Sequence, residues 1–258
     1  MFYNFNLKNV LFKTFIIFYF SCAGSKPDTE ITLQDKFDSG MKHFENEKYL
    51  NAQIDFKSIV IRGSGTDLGD DAQYFLAESY YHNEEYLLAI SEYEKLTRRM
   101  GFSPFVEDAR FKICEAYKIE SPKYYHDQEY SEKSLQRYQE FLDDFPNSKY
   151  IDEVLFSIES LREKLGKKVY ESGILYMKMD EYESAEMSFQ RTIDLYYDTE
   201  IFNKAIQGKI LALAKNGELD NAKSILLENI KGLKEEGLYI KTKADIEKIQ
   251  RKLTKSLK

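Results

Sequence analysis

Tryptophan is absent from this chain of 258 residues, and proline, glycine, cysteine and histidine are scarce. With only 4 Pro and 12 Gly, few positions interrupt a regular backbone, which favours long helices joined by short turns. The 2 Cys exclude a disulfide framework and a zinc site built on cysteine pairs. His43, His82 and His126 have neither a His four residues away nor a cysteine partner, so we expect no metal site.

Basic residues are fewer than acidic ones. The chain has 37 Lys and Arg and 44 Asp and Glu, which gives a formal net charge of −7. An acidic chain has no electrostatic basis for broad nucleic-acid binding. The glycine-rich loop at 63–69 lacks the Gly-Lys-Ser/Thr ending of a phosphate-binding loop. Paired acids such as Asp143 and Asp144 lie beside turns and read as solvated faces. We therefore predict no catalytic site and no cofactor.

Aromatic residues are abundant instead, with 20 Tyr and 18 Phe, and many of them follow helical spacing. Tyr182, Ala185, Phe189 and Ile193 fall on one face of a helix, and Gly173 lies twelve residues before the alanine. A small residue lets a neighbouring helix approach closely, and the aromatic one turn later fills the space beyond it.

The same pattern recurs along the chain. Alanine or serine marks equivalent positions at Ala52, Ala89, Ser134, Ala185 and Ala222. Such self-similarity, with a basic period of about 34 residues, is the signature of tetratricopeptide repeats. We predict an all-α, right-handed superhelix of about five repeats followed by a C-terminal capping helix. The predicted hairpins cover residues 34–62, 71–99, 106–144, 167–197 and 202–232. The turn of the third is about eight residues longer than the others, and a helix at 150–165 continues into the fourth.

The N-terminus has the layout of a signal peptide at residues 1–21, with Lys8 and Lys13 ahead of an apolar run at 15–20. That run is too short to span a membrane. Ser21, Cys22 and Ala23 resemble a bacterial lipoprotein processing site, at which Cys22 would become the acylated first residue. Residues 22–33 would then form a tether. An ordinary secreted protein and an uncleaved signal anchor are the alternatives.

Residues 134–229 carry more specific motifs, including the helix end Phe145-Pro146-Asn147-Ser148 and the Tyr-x-x-Ala helix that begins at Tyr182. With the lipoprotein-like N-terminus and the long third turn, they resemble the BamD (YfiO) family of outer-membrane protein assembly lipoproteins. One position departs from the family pattern. Residues 196–199 read Tyr-Tyr-Asp-Thr, so Tyr197 stands where the family usually has the proline of Tyr-Pro-Asp-Thr. The segment after residue 232 has no counterpart in the resemblance.

The resemblance implies a lipid-anchored scaffold at the outer membrane that faces the periplasm. Its partners would be the barrel-inserting protein BamA and unfolded outer-membrane protein segments. The N-terminal repeats, residues 34–149, would form a substrate groove, and residues 150–258 would contain the part that contacts BamA. Another tetratricopeptide lipoprotein adaptor of the envelope, for cell-wall or division machinery, is the alternative. An enzyme of peptidoglycan turnover is a third, but no segment is left to hold a catalytic domain.

The first helices of repeats one to three are expected to line the concave face of the superhelix. Helical position selects six candidates for partner binding there: Phe44, Tyr74, Glu78, Tyr81, Phe111 and Glu115. Aromatics rimmed by carboxylates suit an extended or helical peptide with apolar anchors and some basic residues. Each of these aromatics could instead belong to the core.

The final segment, residues 238–257, predicts an amphipathic helix with a lysine-rich polar face. It would cap the apolar face of repeat five. Docking to an acidic partner or to an anionic membrane surface is the other interpretation.

Overall fold

The computed structural model describes residues 32–63 and 65–256, and over this range it contains helices and no strand. None of the helices described is both long and apolar enough to cross a membrane. The helices are α1 (Leu33–Glu45), α2 (Tyr49–Arg62), α3 (Asp67–His82), α4 (Tyr86–Arg99), α5 (Val106–Glu120), α6 (Glu129–Asp144), α7 (Ile151–Lys178), α8 (Tyr182–Leu195), α9 (Phe202–Lys215), α10 (Leu219–Glu228), α11 (Ile230–Glu235) and α12 (Tyr239–Ser256).

Helices α1 to α10 form five successive hairpins, and each helix packs against the next one in the chain. Helix α1 also contacts α3, and α7 contacts α9, so neighbouring hairpins stack. This is the packing of tetratricopeptide repeats, and it confirms the predicted fold class. Helix α12 packs against α9, α10 and α11, which confirms its capping role.

Helix α7 has 28 residues and joins the helix predicted at 150–165 with the first helix of the fourth hairpin, which confirms the predicted continuity. The start of α3 differs from the prediction. Helix α3 begins at Asp67, four residues before the predicted start, because the Thr66 hydroxyl accepts a hydrogen bond from the Gly69 amide at 3.2 Å. An N-terminal cap of this kind satisfies a backbone donor that the helix itself cannot.

Close contact between glycines and phenylalanine rings fixes the distance between helices in hairpins one and four. A Cβ atom on Gly40 would lie 2.8 Å from the ring of Phe56. On Gly173 it would lie 2.7 Å from the ring of Phe189, and on Gly208 of the next hairpin 2.6 Å from the same ring. The two phenylalanines are fully buried. Gly40 and Gly173, which recur twelve residues before Ala52 and Ala185, therefore contact the aromatic ring of the facing helix, and the spacing alone did not predict this contact.

Hairpins two and three use a bulkier version of this pairing, in which alanine or cysteine replaces glycine and tyrosine replaces phenylalanine. The pairs are Ala77 with Tyr93 and Cys114 with Tyr138, and each pair shares one buried cluster. The members are 16 residues apart in hairpin two and 24 apart in hairpin three. The difference of eight residues is the long turn at 121–128.

A buried carboxylate joins the two helices of the first hairpin. Asp55 on α2 is 6% exposed and meets three residues of one α1 face, Lys36 Nζ at 2.9 Å, Ser39 Oγ at 2.8 Å and His43 Nδ1 at 3.0 Å. Burial by itself would raise the pKa of Asp55. The hydrogen bonds from these three side chains and the charge of Lys36 outweigh it and hold the pKa below its usual value.

We expect Gly208→Ala to destabilise the fold by about 1 kcal/mol or more, because overpacking against Phe189 costs about 1–3 kcal/mol and exceeds the helix propensity gained. Urea unfolding followed by circular dichroism measures this. Gly101→Ala is the control, since a Cβ there meets nothing within 4 Å. Phe189→Leu removes the ring atoms that the new Cβ would meet, so Gly208→Ala should lower the free energy of unfolding less in the Phe189→Leu background. If the two substitutions lower it additively, the contact between Gly208 and Phe189 is contradicted.

We expect Asp55→Asn to lower the free energy of unfolding at neutral pH by about 1–3 kcal/mol, because it removes a charged acceptor from a buried site. The folded-state pKa is depressed, so the contribution of Asp55 is present above its unfolded pKa of about 3.9 and is lost as the pH falls through the folded value. Unfolding measured from neutral to acid pH should show a flatter profile for the variant.

Asp38→Asn on the exposed side of α1 is the control for this measurement, and its effect should stay within about 0.5 kcal/mol. Equal pH profiles for Asp55→Asn and the unchanged chain would show that Asp55 does not contribute as described.

Candidate functional site

Helix α3 supplies three of the six predicted partner-binding residues on one face. Tyr74, Glu78 and Tyr81 follow one another at i, i+4 and i+7. Tyr74 is partly buried and stacks on Phe105, with ring centroids 4.3 Å apart. Tyr81 is partly buried and meets Tyr86 edge to face at 5.3 Å. The two tyrosines therefore lie on one face of α3 and at the same time pack against neighbouring aromatic rings.

Helix α5 brings a fourth predicted residue, Glu115, to the same region. Lys112 of α5 places its Nζ 4.3 Å from the ring centre of Tyr81, within range of a cation–π contact. Burial, and after it the charge of Glu115, raises the pKa of Tyr81 to about 12. Four of the six residues thus lie around the junction of α3 and α5. We call this area the inner groove, after the substrate groove that the family resemblance implies for the N-terminal repeats.

The two carboxylates of the inner groove already have partners within the protein. Glu78 is buried and accepts a hydrogen bond from the Tyr93 hydroxyl. Glu115 accepts one from the Tyr138 hydroxyl and lies 3.2 Å from Lys118 Nζ. Less of their negative charge is therefore open to basic residues of a peptide than the sequence pattern suggests.

The two predicted phenylalanines lie away from this junction. Phe44 is partly buried at the edge of hairpin one, with its ring 5.8 Å from Phe75 and 5.5 Å from His82. Phe111 is buried and stacks on Tyr150 at 3.9 Å. Both rings contribute to the core, and a contact of either with a partner stays a prediction.

A second groove, of about 730 Å³, was not anticipated from the sequence. It lies between the 121–128 turn and the fourth hairpin, and we call it the outer groove. Met187 is 73% exposed and Tyr176 37% exposed in it, so it offers apolar surface to a partner. Its lining includes Tyr125, Lys168, Tyr176, Met187, Arg191 and Tyr196.

The long third turn forms one wall of the outer groove and is held by defined contacts. The Gln128 side chain donates to the Lys123 carbonyl at 2.9 Å. Lys168 of α7 donates to the Tyr125 carbonyl at 3.1 Å, and Lys167 places its Nζ 4.4 Å from the ring centre of Tyr124. The length of the turn was visible in the sequence, but its contacts with residues some 40 positions later were not.

The described residues contain no candidate metal centre. No three His, Cys, Asp or Glu residues in this part of the chain are grouped so as to hold a metal ion. Cys114 is buried, its Sγ donates to the Arg110 carbonyl at 3.2 Å, and burial raises the pKa of its thiol. The predicted acylation site, Cys22, lies outside the described residues.

The family model of YfiO, described as an outer membrane lipoprotein, matches residues 29–225. The chain belongs to the YfiO family. The match includes the inner and outer grooves and ends within α10 of this YfiO-family protein, so α12 lies beyond it.

Solved structures similar to this YfiO-family chain include tetratricopeptide proteins from other sources. The TPR2AB domain of yeast Sti1, in complex with pHSP90, is 13% identical, covers 86% of this chain and 92% of its own, and has a TM-score of 0.42. The P58(IPK) TPR domain is 15% identical, with 88% and 67% covered and a TM-score of 0.42. The TPR protein TTC0263 of Thermus thermophilus is 17% identical, with 85% and 99% covered and a TM-score of 0.35. No curated protein matches the chain.

Proposed function

We propose that this protein is a non-enzymatic lipoprotein scaffold of the outer-membrane β-barrel assembly complex. It binds BamA and assists the insertion of outer-membrane proteins. The observation that carries the proposal is the match to the YfiO family of outer membrane lipoproteins over most of the repeat array. Acyl chains on Cys22 would hold the chain at the outer membrane, with the repeats in the periplasm.

The two grooves differ in their lining, and we assign a different partner to each. The inner groove, within residues 34–149, presents the partly buried Tyr81 beside Lys112 and suits an unfolded segment with aromatic or apolar anchors. The outer groove draws most of its lining from residues 150–258 and exposes Met187 and Tyr176. Exposed apolar side chains in a concavity are typical of protein–protein contacts, so we assign the outer groove to BamA.

We expect the Tyr176→Ala, Met187→Ala double variant to reduce recovery of BamA about tenfold or more when the tagged chain is crosslinked and purified from membranes. The control is the Ile54→Ala, Ile61→Ala double variant in hairpin one, whose two side chains are 66% and 72% exposed. Because these isoleucines are about as exposed as Met187, the control removes a similar apolar surface from a different place on the protein. A difference between the two variants then reports the location of the BamA contact.

If the Tyr176→Ala, Met187→Ala variant recovers as much BamA as the unchanged chain, the outer groove does not bind BamA. If the unchanged chain recovers cell-wall or division proteins and no BamA, the assembly role is wrong and another envelope adaptor is indicated.

For the inner groove, we expect Tyr81→Ala to weaken binding of a synthetic peptide copied from an outer-membrane protein strand about fivefold or more. Loss of a partly buried aromatic at a binding site commonly costs about 1 kcal/mol or more. Fluorescence anisotropy measures the affinity and far-UV circular dichroism the helicity. Tyr125→Ala in the outer groove is the control. Tyr74 is unsuitable because its stack on Phe105 makes it part of the core.

Helicity and thermal stability that fall in step with peptide affinity would show that Tyr81 is a core residue. Equal affinity in the variant and the unchanged chain would exclude Tyr81 from the binding surface.

A further inference from the structure

Helix α12 has one face packed on the repeats. Thr242 and Ile246 are buried, and Ile249 packs against the apolar cluster of hairpin five. These positions, at i, i+4 and i+7, define the inner face of the helix. Capping therefore accounts for this face and leaves the opposite one to be explained.

The opposite face of α12 is a row of cations. At 100° per residue, five basic residues fall within an arc of about 100° whose centre lies about 135° from that of the inner face, and the acids Asp245 and Glu247 lie at its two flanks. All five are exposed, and none of them forms an ion pair with another described residue. They are Lys241, Lys248, Arg251, Lys252 and Lys255. We call this row the basic face.

The sign of this charge sets the tail apart from the rest of the chain. The last 20 residues hold seven of the 37 Lys and Arg but two of the 44 Asp and Glu. A capping helix needs a polar outer face for solubility, but acids, amides and cations serve that need equally well. Capping alone therefore does not explain why a predominantly acidic chain concentrates cations here.

We propose that the basic face lies against the anionic phospholipid headgroups of the membrane to which the chain is anchored. The proposal rests on the membrane location in the proposed function and adds a second point of membrane contact. Basic residues on one side of a helix at an anionic surface each contribute favourably, and the effect fades within a Debye length.

The shape of the basic face favours a lipid surface over a protein. From Lys241 to Lys255 the row runs about 21 Å along a helix, which matches an extended layer of phosphates. A protein partner would need apolar or aromatic anchors for a packed interface. Between the cations the face offers only Ala244 and, at its edge, Ile240, which is 81% exposed. One isoleucine can enter a headgroup layer but cannot build a protein interface.

The test uses the full chain carrying Cys22→Ser, so that no acyl chain contributes to binding. Flotation measures its partition onto vesicles of phosphatidylcholine alone and of phosphatidylcholine mixed with phosphatidylglycerol, at low and at high salt. We expect a preference for the anionic vesicles that high salt abolishes. Replacing Lys241, Lys248, Lys252 and Lys255 by Gln should lower that preference about fivefold per lysine, and thus more than about 100-fold in total.

The control variant replaces Lys48, Lys57, Lys123 and Lys204 by Gln, which are exposed lysines outside the tail. It changes the net charge equally and should keep the preference within about threefold of the unchanged chain. Circular dichroism verifies that both variants fold.

The proposal is overturned if the two variants lose the preference for anionic vesicles equally, or if the tail variant does not lose it. It is also overturned if the tail variant keeps this preference but no longer captures an acidic protein that the unchanged chain captures, because the basic face is then a protein site. Because every protein in the test lacks the acyl anchor, failure here is separate from failure of BamA recovery.

Discussion

The ring of Phe189, held between Gly173 and Gly208, is the contact on which the C-terminal stacking of this protein depends. Two backbones approach the ring so closely that a Cβ atom at either glycine would force the ring or a helix to shift. The ring therefore sets the spacing within hairpin four and between hairpins four and five at once. Phe56 and Gly40 form the corresponding contact at the other end of the array, within hairpin one.

The middle hairpins show how the same fold accommodates a polar group. A tyrosine takes the place of phenylalanine, and its hydroxyl needs a partner when buried. Glu78 and Glu115 provide that partner from the facing helix. Glu78 and Glu115, which the sequence predicts on a binding surface, thus also join the two helices of their hairpins. Substitutions of these two residues would therefore affect the fold as well as the inner groove.

The sequence was sufficient to predict the helices, the recurring small and aromatic positions and the capping helix, because each depends on spacing within one or two neighbouring helices. It was insufficient for the surfaces. Phe111 and Tyr74 occupy equivalent positions, three residues before the small residues Cys114 and Ala77, yet only the three-dimensional stacking buries the first and leaves the second partly open. The outer groove depends on Lys168 reaching the carbonyl of Tyr125, a contact between residues 43 positions apart that no local pattern reports.

Helix α7 has a mechanical consequence. At 1.5 Å per residue its 28 residues make a rod about 42 Å long, unbroken by proline, whose first part packs on hairpin three and whose last part belongs to hairpin four. A sharp kink between these hairpins would break backbone hydrogen bonds in the middle of the helix. The unbroken helix therefore opposes a hinge between hairpins three and four.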